Sequence, residues 1–206
     1  IYKEGDGEIL AAGENIMLGY YHQPQWTADV IKEIDGKIWL CTGDVGTFVI
    51  GNDGTKFLKI TDRKKELFKP SGGKDVAPAP IESKIKDDVM IDNVMLVGDG
   101  LKFVRALIVP VEQGLMKWCA DHQISWTNME DICKHPKVIE LYQSIVDKYN
   151  PLFGHIEQIK KFKLIPEVWQ PIKADGSEGE LTPTLKLKRR LLKAKYASLI
   201  EGMYAE

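Results

Sequence analysis

The sequence has no run approaching the roughly 20 apolar residues that a membrane-spanning helix requires, so nothing in it reads as a bilayer span. It also lacks a dominant charge. Its 28 Lys and Arg nearly cancel 30 Asp and Glu, for a formal net charge of −2. That balance gives no electrostatic reason to expect nucleic acid or an anionic membrane as the main partner. Cysteine is scarce: Cys41, Cys119 and Cys133 are odd in number and show no metal-ligand spacing. A disulfide framework and a zinc site are therefore disfavoured, and three small hydrophobes in a reducing cytoplasm fit better. There are no internal repeats and no low-complexity tract. The opening Ile1-Tyr2-Lys3-Glu4-Gly5-Asp6-Gly7 has neither a methionine nor a signal-peptide pattern, and reads as a piece cut from something longer.

What is present is ordinary globular composition, 44% hydrophobic and 28% charged over 206 residues. This suffices for one domain, or for one domain and a piece of another. The first 60 or so residues look β-rich. Residues 8–12 and 37–40 are short strand candidates, and 45–50 and 55–60 flank Gly51-Asn52-Asp53-Gly54, a strong hairpin signal because Asn, Asp and Gly tolerate positive φ. So few short strands do not close an all-β domain with its own core, so this piece is expected to need a neighbour. The polar run Thr61-Asp62-Arg63-Lys64-Lys65-Glu66 then divides two unlike halves.

Beyond it the pattern mixes helix and strand. The segment 67–79 is loop-rich, 81–86 is a short helix, and 94–97 and 103–109 read as paired core strands. Helices are expected at 115–122, at 128–133 and from Pro136, where Val138, Leu141, Tyr142, Ile145, Val146 and Tyr149 recur at helical spacing. A strand candidate at 159–165, a polar loop at 173–180 and a final helix over 187–204 complete the chain. The fold class is α+β, with a β-rich part over 1–61 and a second domain over 62–206.

Three short segments carry candidate chemistry. In Thr42-Gly43-Asp44, a carboxylate beside a glycine could accept hydrogen bonds from vicinal hydroxyls such as those of a ribose, although a lone Gly-Asp more commonly closes a turn. The cations of 62–66 and Lys69, beside Ser71-Gly72-Gly73-Lys74, could hold phosphate or ribose oxygens. Composition alone makes them a solvated charge run. In Leu181-Thr182-Pro183-Thr184-Leu185-Lys186-Leu187-Lys188-Arg189-Arg190, a lysine just before a helix could place charge on a phosphoryl oxyanion. The bland alternative is a basic first helical turn, which opposes the helix dipole and so hints at a use for the charge.

In order and spacing these segments, with Gly7-Glu8-Ile9, Gly13 and Gly19-Tyr20-Tyr21, resemble the second half of an adenylate-forming enzyme. That superfamily includes acyl-CoA synthetases, firefly luciferase and peptide-synthetase adenylation domains. The wording of 61–66, of Ser71-Gly72-Gly73-Lys74-Asp75-Val76-Ala77-Pro78 and of 181–189 is similar to long-chain fatty acid–CoA ligases.

The resemblance implies a role for each matching position. Asp44 would bind the ATP ribose hydroxyls, and Arg63 would reach the ribose or phosphates. Lys65 would be the hinge, within 62–66, about which a mobile C-terminal domain rotates. Lys186 would bridge carboxylate and α-phosphate during adenylation. Lys69 and the Ser71-Gly72-Gly73 turn would face coenzyme A in the thioester step. The parent enzyme would use ATP with Mg2+, a fatty acid and coenzyme A, and would depend on an N-terminal adenylation domain of the same chain. No phosphate loop, adenine segment, acyl pocket or metal ligand lies in this stretch, so the isolated piece is expected to be inactive with no cofactor bound. A cytoplasmic location is implied, with peripheral membrane contact left open. Two alternatives remain: another adenylate-former, acting on a medium-chain or aryl acid, and a non-catalytic interaction module that keeps the fold.

Overall fold

The computed structural model describes residues 7–71, 73 and 75–205. Its contacts divide it into two compact units, Ile1–Leu67 and Phe68–Glu206. The first unit thus runs six residues past the sequence-based division at 61: residues 61–63 of the polar run finish a strand, and the turn at 64–66 is hydrogen-bonded back to its last residue.

The first unit is an antiparallel sheet built on one long strand. It comprises β1 (Glu8–Ala11), α1 (Pro24–Val30), β2 (Ile31–Ile34), β3 (Lys37–Ile50) and β4 (Lys56–Arg63). Strands β1, β2 and β4 all pair with β3. The expected separate strands at 37–40 and 45–50 are one. Gly43, at φ +74, lets the backbone turn within the strand without breaking it, a conformation costly for any residue with a Cβ. The β3–β4 hairpin closes over Gly51–Gly54 in the expected register, Ile50 opposite Lys56.

α1 and β2 were not legible in the sequence. α1 starts with Pro24 at its first position but buries no residue, so it carries no amphipathic stripe. Among the described residues of this unit, Val45 is the one buried apolar side chain. Phe48, Ile50, Phe57, Leu58 and Ile60 on the hairpin are exposed. The unit has almost no core of its own.

The second unit is built differently. α2 (Pro78–Ile85) precedes β5 (Ile91–Val97) and β6 (Arg105–Pro110); α3 (Glu112–Asp121), α4 (Met129–Lys134) and α5 (Pro136–Tyr149) follow. β7 (Lys161–Leu164) then pairs parallel to β6 and completes a β5-β6-β7 sheet. β5 and β6 are buried along nearly their whole length because both sheet faces are covered. Side chains alternate between faces along a strand. Val94, Leu96, Ala106 and Ile108 therefore pack with α2–α5, while Met95, Val97, Leu107 and Val109 meet Ile165, Trp169, Leu181 and Leu192. Asn128 caps α4 by accepting from the Asp131 amide at 3.0 Å.

The single final helix expected over 187–204 is two, α6 (Arg189–Lys195) and α7 (Ala197–Ala205). Tyr196 leaves helical geometry at φ −105, ψ 20. Its ring packs beside Trp169, whose Nε1 donates to the Tyr196 hydroxyl at 3.1 Å. Helical propensity is weak against a buried aromatic contact of this kind.

Candidate functional site

Asp44 on β3 and Arg63 on β4 are register partners. Arg63 Nε lies 2.7 Å from Asp44 Oδ1, with the arginine side chain 65% exposed and the aspartate 23%. A surface pair of this kind contributes little to stability, so its interest lies in where it points two polar groups.

The strand around Asp44 is held by its neighbours. Thr42 Oγ1 donates to the Ile9 carbonyl at 2.8 Å and accepts from the Asp44 amide at 3.1 Å. Glu8 accepts from the Gly43 amide at 3.0 Å through one oxygen and from Lys64 Nζ at 2.7 Å through the other. The Lys64 amide donates to the Gly43 carbonyl at 2.8 Å. The Thr-Gly-Asp segment and the polar run, read separately in the sequence, are thus laced together through Glu8, which the sequence pattern includes within Gly7-Glu8-Ile9 but gives no role.

Lys65 is exposed in the turn at 64–66, which closes when the Glu66 and Leu67 amides donate to the Arg63 carbonyl at 2.9 and 3.2 Å. The turn lies beside the division between the units.

In the second unit, Lys69, Ser71 and Gly73 lie on a loop whose ends are joined by the Phe68–Val76 bridge. The Phe68 ring is buried so tightly against Gly98 that a Cβ there would stand 2.7 Å from it. The Ser71 amide donates to Leu101 at 2.9 Å, and the Gly100 amide to Lys69 at 2.8 Å. Lys69 Nζ is 3.6 Å from Asp75. Gly73 adopts φ +83, which suits glycine. Gly72 lies outside the described residues.

Lys186 is exposed on a separate loop of the same unit, a tight turn between Leu181 and Leu187. The Thr182 amide donates to the Lys186 carbonyl at 2.8 Å, and the Lys186 amide donates to Thr182 Oγ1 at 3.0 Å. Leu185 takes φ +60 at the tip, a left-handed conformation rare for leucine. Below the turn, the Lys188 amide donates to the Glu180 carbonyl at 2.9 Å. The basic residues that follow are not merely solvated: Arg189 reaches Glu82 on α2, and Lys188 Nζ donates to the Gly179 carbonyl at 3.0 Å. The structure therefore brings Asp44 and Arg63 together on the first unit and places Lys69, Ser71, Gly73 and Lys186 on two loops of the second.

Behind the Lys186 loop sits an ionic cluster with no signal in the sequence. Glu180 is 2% exposed and accepts from Lys195 Nζ at 2.9 Å, with Lys173 Nζ at 3.6 Å. Burial pushes the Glu180 carboxyl up, but the hydrogen bond from Lys195, its own backbone amide and the two lysine charges outweigh this and hold it below its ordinary range. Lys195 also pairs with Glu167.

The fold and these segments define a class. A model of the AMP-binding enzyme C-terminal domain family matches residues 68–206, and the chain belongs to that family. Its curated relatives bear fatty-acid ligase names. It is 38% identical over 201 residues to the Mycobacterium tuberculosis protein called fatty-acid–CoA ligase fadD11, covering 97% of this chain and 33% of that protein. It is 34% identical over 200 residues to long-chain-fatty-acid–CoA ligase FadD15 of the same organism, covering 97% and 31%. The peroxisomal long chain acyl-CoA synthetase 7 of Arabidopsis thaliana is 33% identical over 204 residues, covering 97% and 27%. The chain thus spans about a third of the length of the curated relatives it matches.

Among solved structures, the A domain of the carboxylic acid reductase from Segniliparus rugosus, in complex with AMP and a co-purified carboxylic acid, superposes with a TM-score of 0.68. The identity is 22%, over 97% of this chain and 28% of that one. The adenylation domain of a carboxylate reductase from Mycobacterium chelonae gives 0.66 at 23% identity, over 98% and 29%. The fold is that of part of an adenylation domain. No helix among the described residues is long and apolar enough to cross a membrane.

Proposed function

We propose that this chain is the C-terminal part of an AMP-forming ligase that activates a long-chain fatty acid with ATP and transfers it to coenzyme A. The observation that carries the reading is the match of 97% of the chain to proteins named as fatty-acid–CoA ligases. The ordered Asp44–Arg63 pair and the closed turn under Lys186 add to it.

In the first half-reaction the acid's carboxylate oxygen attacks the α-phosphorus of ATP, pyrophosphate leaves, and an acyl-adenylate forms. Asp44 accepts hydrogen bonds from the ribose hydroxyls, and Arg63, held beside it, supplies donors to the same nucleotide. Lys186 places a compact positive charge on oxygens whose negative charge grows in the transition state. In the second, the thiol sulfur of coenzyme A attacks the acyl carbonyl and AMP leaves as its proton passes to solvent. Lys69, Ser71, Gly72 and Gly73 border that reaction. Rotation about Lys65 lets the two loops of the second unit serve in turn, which one fixed arrangement could not do. Among the described residues no group of three or more His, Cys, Asp or Glu is placed to hold a metal ion.

The test is acid-dependent pyrophosphate exchange by the full-length protein across fatty acids of increasing chain length, with benzoate-type acids as a control, followed by acyl-CoA formation. Preference for long-chain fatty acids supports the reading. Preference for a medium-chain or aryl acid replaces the substrate and keeps the chemistry. Absence of exchange with every acid leaves a non-catalytic module.

A further inference from the structure

Glu82 is a charged residue buried within the second unit, at 6% exposure. It lies in the middle of α2, the helix that follows the Phe68–Val76 loop. One carboxylate oxygen accepts from the Leu96 amide of β5 at 2.7 Å and from Arg189 Nη1 at 2.8 Å; the other accepts from Nη2 at 2.5 Å. A buried carboxylate costs several kcal/mol unless paired and hydrogen-bonded, and this one is both. The two-pronged guanidinium contact also fixes direction, which a lysine could not do.

Arg189 is the first residue of α6, where the helix dipole disfavours a cation. Its position is therefore not explained by helix stability. It is explained by Glu82, 107 residues away in sequence. Arg189 stands three residues after Lys186, and the chain between them is pinned again where the Lys188 amide meets the Glu180 carbonyl at 2.9 Å. Glu180 is itself locked by Lys195 and Lys173. The turn that presents Lys186 thus hangs from two buried carboxylates, one on each side of its base. Glu82, through Arg189, ties it to the helix that follows the loop of Lys69, Ser71 and Gly73.

We propose that Glu82 is a positioning residue for adenylation: through its two-pronged contact with Arg189 it sets the direction from which Lys186 approaches the reacting phosphate. This rests on the assignment of Lys186 above. A displacement of about 1 Å at a catalytic group can cost on the order of 10²-fold in rate. The consequence is a loss confined to the step Lys186 serves.

The experiment uses the full-length enzyme with Glu82→Gln, Glu82→Asp and Arg189→Lys. Pyrophosphate exchange, thioester formation from supplied acyl-adenylate, and the thermal midpoint are measured for each. Glu82→Asp keeps the charge and the burial while shortening the reach, so it decides the matter if Glu82→Gln fails to fold. The expected result is a fall in kcat for exchange of about 10- to 100-fold in Glu82→Asp and Arg189→Lys. KM for ATP should stay within about twofold and the thioester step within about threefold, since Lys186 serves neither. Equal losses in both half-reactions, or unchanged exchange in a folded Glu82→Asp protein, overturn the proposal and make the pair purely structural. A wild-type enzyme without exchange, or a Lys186→Ala enzyme with normal exchange, instead overturns the function from which it starts.

Discussion

Asp44 and Arg63 sit directly opposite one another on β3 and β4, with Nε and Oδ1 2.7 Å apart, although they are 19 positions apart in the chain. The hairpin does this: its turn at Gly51–Gly54 sets the register, and the register brings an acceptor-only carboxylate beside a donor-only guanidinium. Together they set an acceptor and a set of donors side by side on neighbouring strands.

Replacing Asp44 with Ala in the full-length enzyme is expected to weaken ATP more than coenzyme A. Each lost hydroxyl contact to a charged acceptor costs roughly 1.5–3 kcal/mol, less what water recovers. The check is the Michaelis constant for each substrate. An unchanged constant for ATP would return Asp44 to the role of a turn residue beside Gly43.

Lys186→Ala is expected to abolish adenylation while sparing thioester formation from supplied acyl-adenylate. Loss of one oxyanion contact lowers the rate by about 10²- to 10³-fold. Pyrophosphate exchange within tenfold of wild type would sink the assignment. The turn itself should survive, because its hydrogen bonds run through the Thr182 hydroxyl and the backbone of Lys186, not through the lysine side chain.

Proline at position 65 tests the hinge. Proline holds φ near −65° and removes a backbone donor, and Lys65 is exposed in a turn of few apolar contacts beside the division between the units. Lys65→Pro is expected to retain adenylation and lose thioester synthesis, with both units folded. Equal losses in the two half-reactions would mark 64–66 as an ordinary exposed turn.

The Glu180 cluster makes stability depend on pH. A carboxyl held below its ordinary value of 4.5 contributes stability that is present above that value and is lost as pH falls through the lower, folded-state value. Glu180→Gln is expected to destabilise the protein at neutral pH by about 1.5–3 kcal/mol, the scale of hydrogen bonds to a charged group. Its difference from wild type should shrink as pH falls below about 4.5. Urea unfolding of both proteins at pH 7 and pH 3.5 checks this; a difference independent of pH would mean that Glu180 is not charged in the native state.

Much of the fold was legible where the signal is local. The Gly51–Gly54 hairpin follows from residues that tolerate positive φ, and α5 from an apolar period that ends in the buried Val138, Tyr142, Ile145 and Val146. α1 was not legible, because a helix that buries nothing leaves no stripe. The continuity of β3 was hidden because Gly43 reads as a turn in isolation, and only the pairing of its flanks with β1 and β4 shows it to be a bend within a strand.

The candidate site divides the same way. Asp44, Arg63, Lys186 and the Ser71–Gly73 turn stand out because their residue types and order form a recognisable pattern, which needs no coordinates. Partner choice does not work at that range. The chain offers 30 acidic residues to its 28 Lys and Arg, and only packing selects Glu82 for Arg189 and Glu180 for Lys195. Tyr196 breaks the last helix for the same reason, since a ring buried against Trp169 outweighs local propensity. The sequence by itself determined the turns, the helical periods and the identity of the chemical groups, all set by neighbours a few residues away. The tertiary structure alone decided which charges are buried together and therefore how Lys186 is held, because desolvation and pairing energies exist only once distant segments meet.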